Sequence, residues 1–419
     1  MCMMTTLVEL SPQLIKLCET LHLTGPAYWF IKNTFFNHFC GGETPEEISV
    51  TMEGLKSAGI GSILDVSIEV DLDELHEEDT PEAIRALWNG RADHVASLLK
   101  GSVKAASVEP NSFAAIKLTP LLSPLTLQKV SYNLYNLRAS FETSPQNSAA
   151  YVPLNQSELE DFDLFMERIN GICEYAKQMK VRLMIDAEQS YFQDAIDYAA
   201  LEVSRRYNQL GQEMGPLVFN TYQMYLKDST RKLRSDYERS QRQNFTFGAK
   251  LVRGAYMVTE RKRCAKLGIS DIINDTIEDT HHCYDSGVEF LLDQINPTDT
   301  LSTTHAAFMV ASHNKDSVNK TCIGLEKRGF APKTEMVMFG QLMGMKDNLS
   351  YSLGGNGYRT FKYVPYGPIQ EVVPYLIRRA QENSTVLGAA QEEYDLIASE
   401  LKLRLLGQAA TIPIEVKTA

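Results

Sequence analysis

Eight short apolar, β-branched runs restrict the fold of this chain more than any other feature of its sequence. They are SILDVS (62–67), FAAIKLT (113–119), RLMIDAE (182–188), PLVFNTYQ (216–223), FGAKLVRG (247–254), FMVASHN (308–314), EMVMFGQL (335–342) and TFKYVPYG (360–367). Helical patterns separate most of them, and strands alternating with helices predict a parallel sheet. Eight such units over about 300 residues favour a closed (βα)8 barrel of the TIM type over an open doubly wound sheet. Each run begins apolar and ends polar, in Asp65, Lys117, Asp186 with Glu188, Asn220 with Gln223, Arg253, His313 with Asn314, Gln341, or Tyr363 with Tyr366. Active sites of such barrels sit at the C-terminal strand ends. Strand ends are more polar than strand middles in general, but that does not account for Lys117 and Lys250, which lie inside two different strands.

The pattern divides the chain into an N-terminal helical segment (1–60), the barrel (61–385) and a C-terminal helical tail (386–419). In the first segment Tyr28, Trp29, Phe30, Phe35, Phe36 and Phe39 form an aromatic cluster expected to pack on the barrel. Ser157 with Glu160 predicts a capping box, followed by Phe162, Phe165, Met166, Ile169, Ile172, Cys173 and Ala176 on one helix face. Residues 120–155 are rich in Pro, Ser and Asn and read as a loop or partly disordered connection. A last helix is expected at 391–407, carrying Tyr394, Ile397, Leu401 and Leu405. Internal repeats are not evident.

Composition narrows the chemistry. With 419 residues, 44% of them hydrophobic, there is material for a large core. A net charge of -12 without a long Lys/Arg run argues against nucleic acid as a partner. The 7 cysteines form no C-x-x-C pair, which points away from a disulfide framework or structural zinc site. His281, His282 and Cys283 are consecutive, so on a helix they diverge and no metal site is expected. No stretch approaches the ~20 apolar residues of a membrane span. An Arg-rich presequence is not visible either, since the first arginine is Arg85 and Glu9 and Glu19 come early.

The usual cofactor loops are missing. GIGSIL (59–64) precedes a strand, whereas a dinucleotide fingerprint follows one, and no phosphate loop, H-E-x-x-H or G-x-S-x-G turn occurs. The stretch TFKYVPYGPIQEVVPYLIRRAQEN (360–383) is more telling. A strand ends at Gly367 and a helix opens at Pro368, carrying Tyr375, Arg378 and Arg379, and two guanidiniums with a phenol suit a small carboxylate. The residues alone therefore indicate a barrel enzyme for a small anionic substrate, with Lys117, Asp186, Lys250, Arg253, Arg378 and Arg379 around the mouth.

Six segments in order, LMIDAEQSYFQ (183–193), VFNTYQMYLKD (218–228), AKLVRGAYM (249–257), ASHN (311–314), FGQLMGM (339–345) and YVPYGPIQEVVPYLIRRAQEN (363–383), resemble the proline dehydrogenase family, in its mitochondrial eukaryotic branch. The resemblance covers nearly all of residues 45–390. It implies a (βα)8 barrel holding FAD, oxidation of L-proline to Δ1-pyrroline-5-carboxylate by hydride transfer from ring carbon C5 to flavin N5, and passage of electrons to a membrane quinone. It also implies a mitochondrial location on the matrix side of the inner membrane and peripheral membrane contact. By the same likeness Arg378 and Arg379 hold the proline carboxylate with help from Lys117, Asp186 positions these cations, and Tyr256, Tyr363, Tyr375, Leu251 and Leu342 wall the ring. Asn220, Gln223, Lys250, Arg253, Gly254, His313, Asn314, Gln341 and Glu382 are the implied cofactor contacts, and no metal is implied.

Three other readings stand beside it. Hydroxyproline dehydrogenases share the flavin and barrel, but that branch tends to have a small Ser where this chain has Tyr363. A Schiff-base aldolase would use Lys117 or Lys250 inside a barrel strand. A non-catalytic carboxylate-binding protein would need only the clamp.

Overall fold

The computed structural model describes residues 24–67, 80–109, 112–142, 151–385, 398–399 and 401–403. Eight parallel strands close into one barrel in sequence order: β1 (Ile60–Val66), β2 (Phe113–Ile116), β3 (Arg182–Ile185), β4 (Val218–Gln223), β5 (Phe247–Val252), β6 (Ala306–Ala311), β7 (Val337–Leu342) and β8 (Thr360–Tyr366). Closure is made by β1 against β8, in register from Ile60 opposite Thr360 to Val66 opposite Tyr366.

The helices, in chain order, are α1 (Thr24–Ile31), α2 (Pro45–Ser57), α3 (Pro81–Ala106), α4 (Pro124–Glu142), α5 (Gln156–Met179), α6 (Ser190–Tyr207), α7 (Ser229–Gln243), α8 (Met257–Leu267), α9 (Ile277–Leu292), α10 (Lys315–Lys327), α11 (Asp347–Gly355) and α12 (Ile369–Thr385). A π-helical turn, Lys32–Phe36, and one α-turn, Asn37–Phe39, continue α1.

Two expectations are corrected. Residues 120–155 are not a loop throughout, because α4 occupies Pro124–Glu142 and buries Leu127 and Val130, one helical turn apart. The capping box of α5 is Asn155 with Glu158, not Ser157 with Glu160: the Asn155 side chain accepts from Glu158 N at 2.8 Å, and Glu158 accepts from Asn155 N at 2.8 Å. The helix simply starts earlier, and its predicted apolar face is the one buried, through Phe165, Ile169, Ile172, Cys173 and Ala176. Most of the helix expected at 391–407 lies outside the described residues.

Side chains alternate across each strand, so one set fills the barrel and the other meets the helices. The lower interior is aromatic: Phe113 stands edge-on to Phe219 (5.3 Å) and Phe361 (5.1 Å). Gly61 makes room for this layer, since a Cβ there would lie 2.6 Å from the Phe361 ring. Of the N-terminal aromatics, Phe36 and Phe39 are buried against Val372, Tyr375 and Leu376 of α12, while Trp29 and Phe30 are exposed. The N-terminal segment thereby braces the helix that carries the arginine pair.

Candidate active site

Above the aromatic layer the interior turns polar. On β3 the inward parity runs from Arg182, whose guanidinium lies over the Phe113 ring, through Met184 to Asp186 just past the strand end. On β5 it reaches Lys250, on β8 Tyr363, and beyond β2 Lys117. These side chains meet. Asp186 accepts from Lys250 through Oδ1 and from the Tyr363 hydroxyl through Oδ2, the latter at 2.8 Å. Lys117 Nζ donates to both oxygens of Asp65, at 2.9 and 3.0 Å.

Burial raises the cost of every charge here, and pairing decides which charges persist. Burial pushes Asp186 up, but Lys250 and Lys117 outweigh it and hold its carboxyl below the ordinary range. Burial pulls Lys117 down, but Asp65, Asp186 and Glu188 outweigh it and keep its ammonium charged. Burial dominates at Asp65, which is raised with Asp186 adding to the effect. Tyr363 is raised well above its ordinary value by burial and by Asp186 and Asp65, so its phenol stays a donor.

Glu188 forms a second polar centre. Its carboxylate accepts from the Tyr256 hydroxyl at 3.0 Å and from Thr119 at 3.3 Å, and burial lifts it to about 7. Gln223 donates to the Glu188 carbonyl and to Tyr225, each at 2.9 Å, which fixes its amide at the top of β4. Asp65 and Glu188 stand at strand ends in the sequence, but nothing in a one-dimensional pattern marks them as partners of Lys117 and Tyr256. A buried lysine demanding a carboxylate is the one signal that could have found Asp65.

The arginine pair lies on the same side. Arg379 stacks over the Tyr375 ring at 5.1 Å, and its charge acts on His313. The charge of Arg378 acts on Tyr256. Adjacent arginines on a helix diverge, and here the charge of one acts near the end of β5 and that of the other near the end of β6. Leu342 ends β7 on the parity of Met338, whose sulfur faces Arg182 inside the barrel, so it emerges at the mouth.

Beside this pocket runs a cationic shelf. Arg253 stacks on Tyr284 at 3.6 Å, donates to Ser317 Oγ at 2.7 Å and lies 2.8 Å from His281 Nδ1. Its Nε–H is buried without an acceptor among the described residues. Asn314 caps α10 by accepting from Ser317 N at 2.9 Å, so the guanidinium reaches the first turn of that helix. His313 accepts the Leu342 N–H on Nε2 at 3.0 Å, and burial together with the cations Lys362 and Arg379 lowers it to about 3, which leaves a neutral imidazole. Gly254, at φ +87°, is exposed with open space where a Cβ would project.

Three implied contacts are placed elsewhere. Leu251 is fully buried on the outer side of β5 and packs on Gly287 of α9, not on a ring in the pocket. Asn220 points out from β4 and donates to Asp197 of α6 at 2.9 Å. Gln341 points out from β7, between the Ser312 carbonyl (3.2 Å) and Ser350 of α11 (3.0 Å). The reason is common to all three: each has the outward parity of its strand, opposite to Lys250, Gln223 or Leu342. Tyr375 is buried beneath Arg379 among the N-terminal aromatics. The side chain of Glu382, on α12, lies outside the described residues.

Comparison with known proteins identifies the family. A family model described as proline dehydrogenase matches residues 48–392. Proline dehydrogenase 1, mitochondrial, of Dictyostelium discoideum is 36% identical over 426 residues, covering 96% of this chain and 71% of the relative. The human protein of the same name is 44% identical over 240 residues, 57% of this chain and 38% of the relative. Bovine hydroxyproline dehydrogenase is 32% identical over 397 residues, 91% of this chain and 83% of the relative. Among solved structures, proline utilization A from Bdellovibrio bacteriovorus superposes with a TM-score of 0.67 at 18% identity, over 86% of this chain and 34% of that one, a likeness of fold. With a closed barrel, a family match through most of the chain and a relative that aligns with 96% of this chain, this protein belongs to the proline dehydrogenase family and is an oxidoreductase.

Proposed function

We propose that the chain oxidises L-proline to Δ1-pyrroline-5-carboxylate with FAD as hydride acceptor and a quinone as final electron acceptor, in mitochondria. The supporting observation is the Asp186–Lys250–Tyr363 network at the strand ends, with Arg378 of α12 near enough for its charge to act on Tyr256. A small amphoteric substrate needs cations for its carboxylate and apolar contact for its methylenes. Arg378, Arg379 and Lys117 would supply the first; Leu342 and the rings of Tyr256 and Tyr363 would supply the second.

The shelf fits the cofactor. Among the described residues the buried Arg253 Nε–H meets no acceptor, and the guanidinium stands at the N-terminus of α10, a favourable place for phosphate oxygens. Gly254 allows close backbone approach, Lys250 presents polar hydrogens beside the substrate pocket, and Gln223, whose two amide hydrogens go to Glu188 and Tyr225, would present its carbonyl oxygen as an acceptor. Bound there, FAD would supply the redox chemistry by taking hydride from substrate C5. The chain's own part is to fix the carboxylate, turn C5 toward the acceptor and hold the pocket's charges paired. Mitochondrial location is inferred from the names of the relatives.

An aldolase is disfavoured, because a Schiff-base lysine must be neutral to attack, whereas Lys117 and Lys250 are both bonded to carboxylates. Hydroxyproline as substrate is the second reading, raised by the bovine relative. Tyr363 favours proline: its hydroxyl is held by Asp186 at the mouth, and its ring would take up the space that a C4 hydroxyl needs. The test is a visible spectrum of the purified protein before and after anaerobic L-proline. Flavin bands that bleach are expected; a colourless protein, or bands that persist, would reject the proposal.

A further inference from the structure

The acids of the mouth are not equivalent. Asp65 and Asp186 each bond a lysine, whereas among the described residues Glu188 is bonded to no cation. Its residue is 6% exposed, and its carboxylate spends both oxygens on hydroxyls, one of Thr119 and one of Tyr256. Tyr256 is itself unusual. It holds φ +56° at the N-cap of α8, a left-handed conformation that a residue with a Cβ adopts only when its surroundings impose it.

A second clasp joins the same two loops. Glu260, one turn into α8 and buried, accepts from Ser190 N at 2.6 Å and from Ser190 Oγ at 2.7 Å at the start of α6. The loop after β3 and the loop after β5 are therefore tied twice, by Glu188 with Tyr256 and by Ser190 with Glu260. Gln193 of α6 fixes the Glu188 backbone by accepting its N–H at 2.7 Å. Glu188 is thus rigid, and Tyr256, next to Arg378, is what it holds.

We propose that Glu188 is a positioning residue for substrate affinity: by accepting the Tyr256 hydroxyl it locks that ring as a wall of the substrate pocket, tightly when ionised and loosely when protonated. This rests on the proline-oxidising reading of the site. The charged groups facing the carboxyl are Lys117, which favours its ionisation, and Asp186, which opposes it, with burial the larger influence and the midpoint at about 7. The charge of Arg378 acts on Tyr256 from α12, and that of Asp186 from just past β3. A hydrogen bond to a carboxylate is roughly twice as strong as one to a neutral carboxyl, enough for about a 5-fold change in the population of the locked ring.

The test uses holoenzyme and tetrahydrofuran-2-carboxylate, the ring-oxygen counterpart of proline, titrated by calorimetry between pH 5.5 and 8.5. Wild type, Glu188→Gln, Tyr256→Phe and the double variant are compared. The Kd of wild type should tighten about 5-fold as pH rises through the Glu188 midpoint. Each single variant should bind more weakly with that pH dependence flattened, and the double should be no weaker than the weaker single. With L-proline the variants should show the loss in KM more than in kcat. A pH dependence that survives Glu188→Gln, or losses that add in the double variant, would overturn the coupling while leaving the wild-type reaction intact. A wild type that neither binds the analogue nor bleaches with L-proline would overturn the underlying reading and this inference with it.

Discussion

Removing the charge of Asp186 tests whether the mouth is held together by paired charges. The Lys250 side chain is 7% exposed and that of Asp186 14%. Asp186→Asn preserves shape and keeps an acceptor for Tyr363, but it leaves Lys250 a buried cation with no bonded anion. Breaking a buried pair on one side costs about 3–5 kcal/mol, whereas replacing both partners by well-packed groups is near neutral. Asp186→Asn should therefore lose about 3–5 kcal/mol in urea unfolding followed by far-UV circular dichroism, and Lys250→Met a similar amount. The double variant should recover about 2 kcal/mol or more of the summed losses. The sign with pH follows from Asp186 being depressed: its contribution is full above 3.8, the ordinary value, and is lost as pH falls through the lower folded value. The gap between wild type and Asp186→Asn should accordingly close on strong acidification. A loss below about 1 kcal/mol, or a double variant as unstable as the two singles summed, would refute the pairing argument.

Arg378→Met and Arg379→Met should each weaken apparent affinity for L-proline by about 2–4 kcal/mol with little change in FAD content; near-wild-type Michaelis constants in both would defeat the carboxylate assignment. Catalytic efficiency should favour L-proline over trans-4-hydroxy-L-proline by at least ~100-fold, and Tyr363→Ser should narrow that ratio mainly by losing activity on proline; a ratio unmoved by the substitution would mean that Tyr363 does not face the ring. Gly248→Ala places a Cβ 2.3 Å from the Val218 carbonyl oxygen, so β4 and β5 must separate, and urea unfolding should show a loss of at least about 1–3 kcal/mol. Glu188, lifted from 4.5 to about 7, contributes stability that is full below 4.5 and is lost as pH rises through 7, amounting to about 3 kcal/mol. Unfolding curves of Glu188→Gln should lack that decline, and an unchanged pH profile would show that the carboxyl ionises as freely as in the unfolded chain.

The barrel was legible because its strands are buried on both faces and so read as continuous apolar runs. The ends of those runs were less so. FAAIKLT and RLMIDAE suggest strands of seven residues, but the ladder stops at Ile116 and Ile185. Lys117 and Asp186 leave it to meet Asp65 and Lys250, so the residues that look like strand ends are the first residues of the site. Helix α4 was hidden for a compositional reason. Pro120 and Ser123 before it, Pro124 as its first residue and the Ser/Asn-rich stretch after it outweigh Leu127 and Val130, which are too few to show a period.

Within the site, strand parity separates what the sequence could decide from what resemblance alone could not. Once Lys250 is set inward, Leu251 must face α9; once Gln223 is inward, Asn220, three residues earlier, must face α6; and Leu342 at the mouth sends Gln341 toward α11. Those three placements needed only the period of two and one fixed anchor per strand. The partners of Glu188 were different in kind. The bond to Tyr256 spans 68 positions and depends on a left-handed N-cap, and the bond to Thr119 depends on a 3-10 turn after β2. Neither conformation has a sequence signature at those residues, since Tyr is a poor occupant of positive φ and is held there by its surroundings. A site of this kind is thus readable to the depth at which side-chain direction follows from the strand. Where direction is set by loop geometry, as at Glu188 and Tyr256, only the three-dimensional arrangement discloses which carboxyl holds which ring.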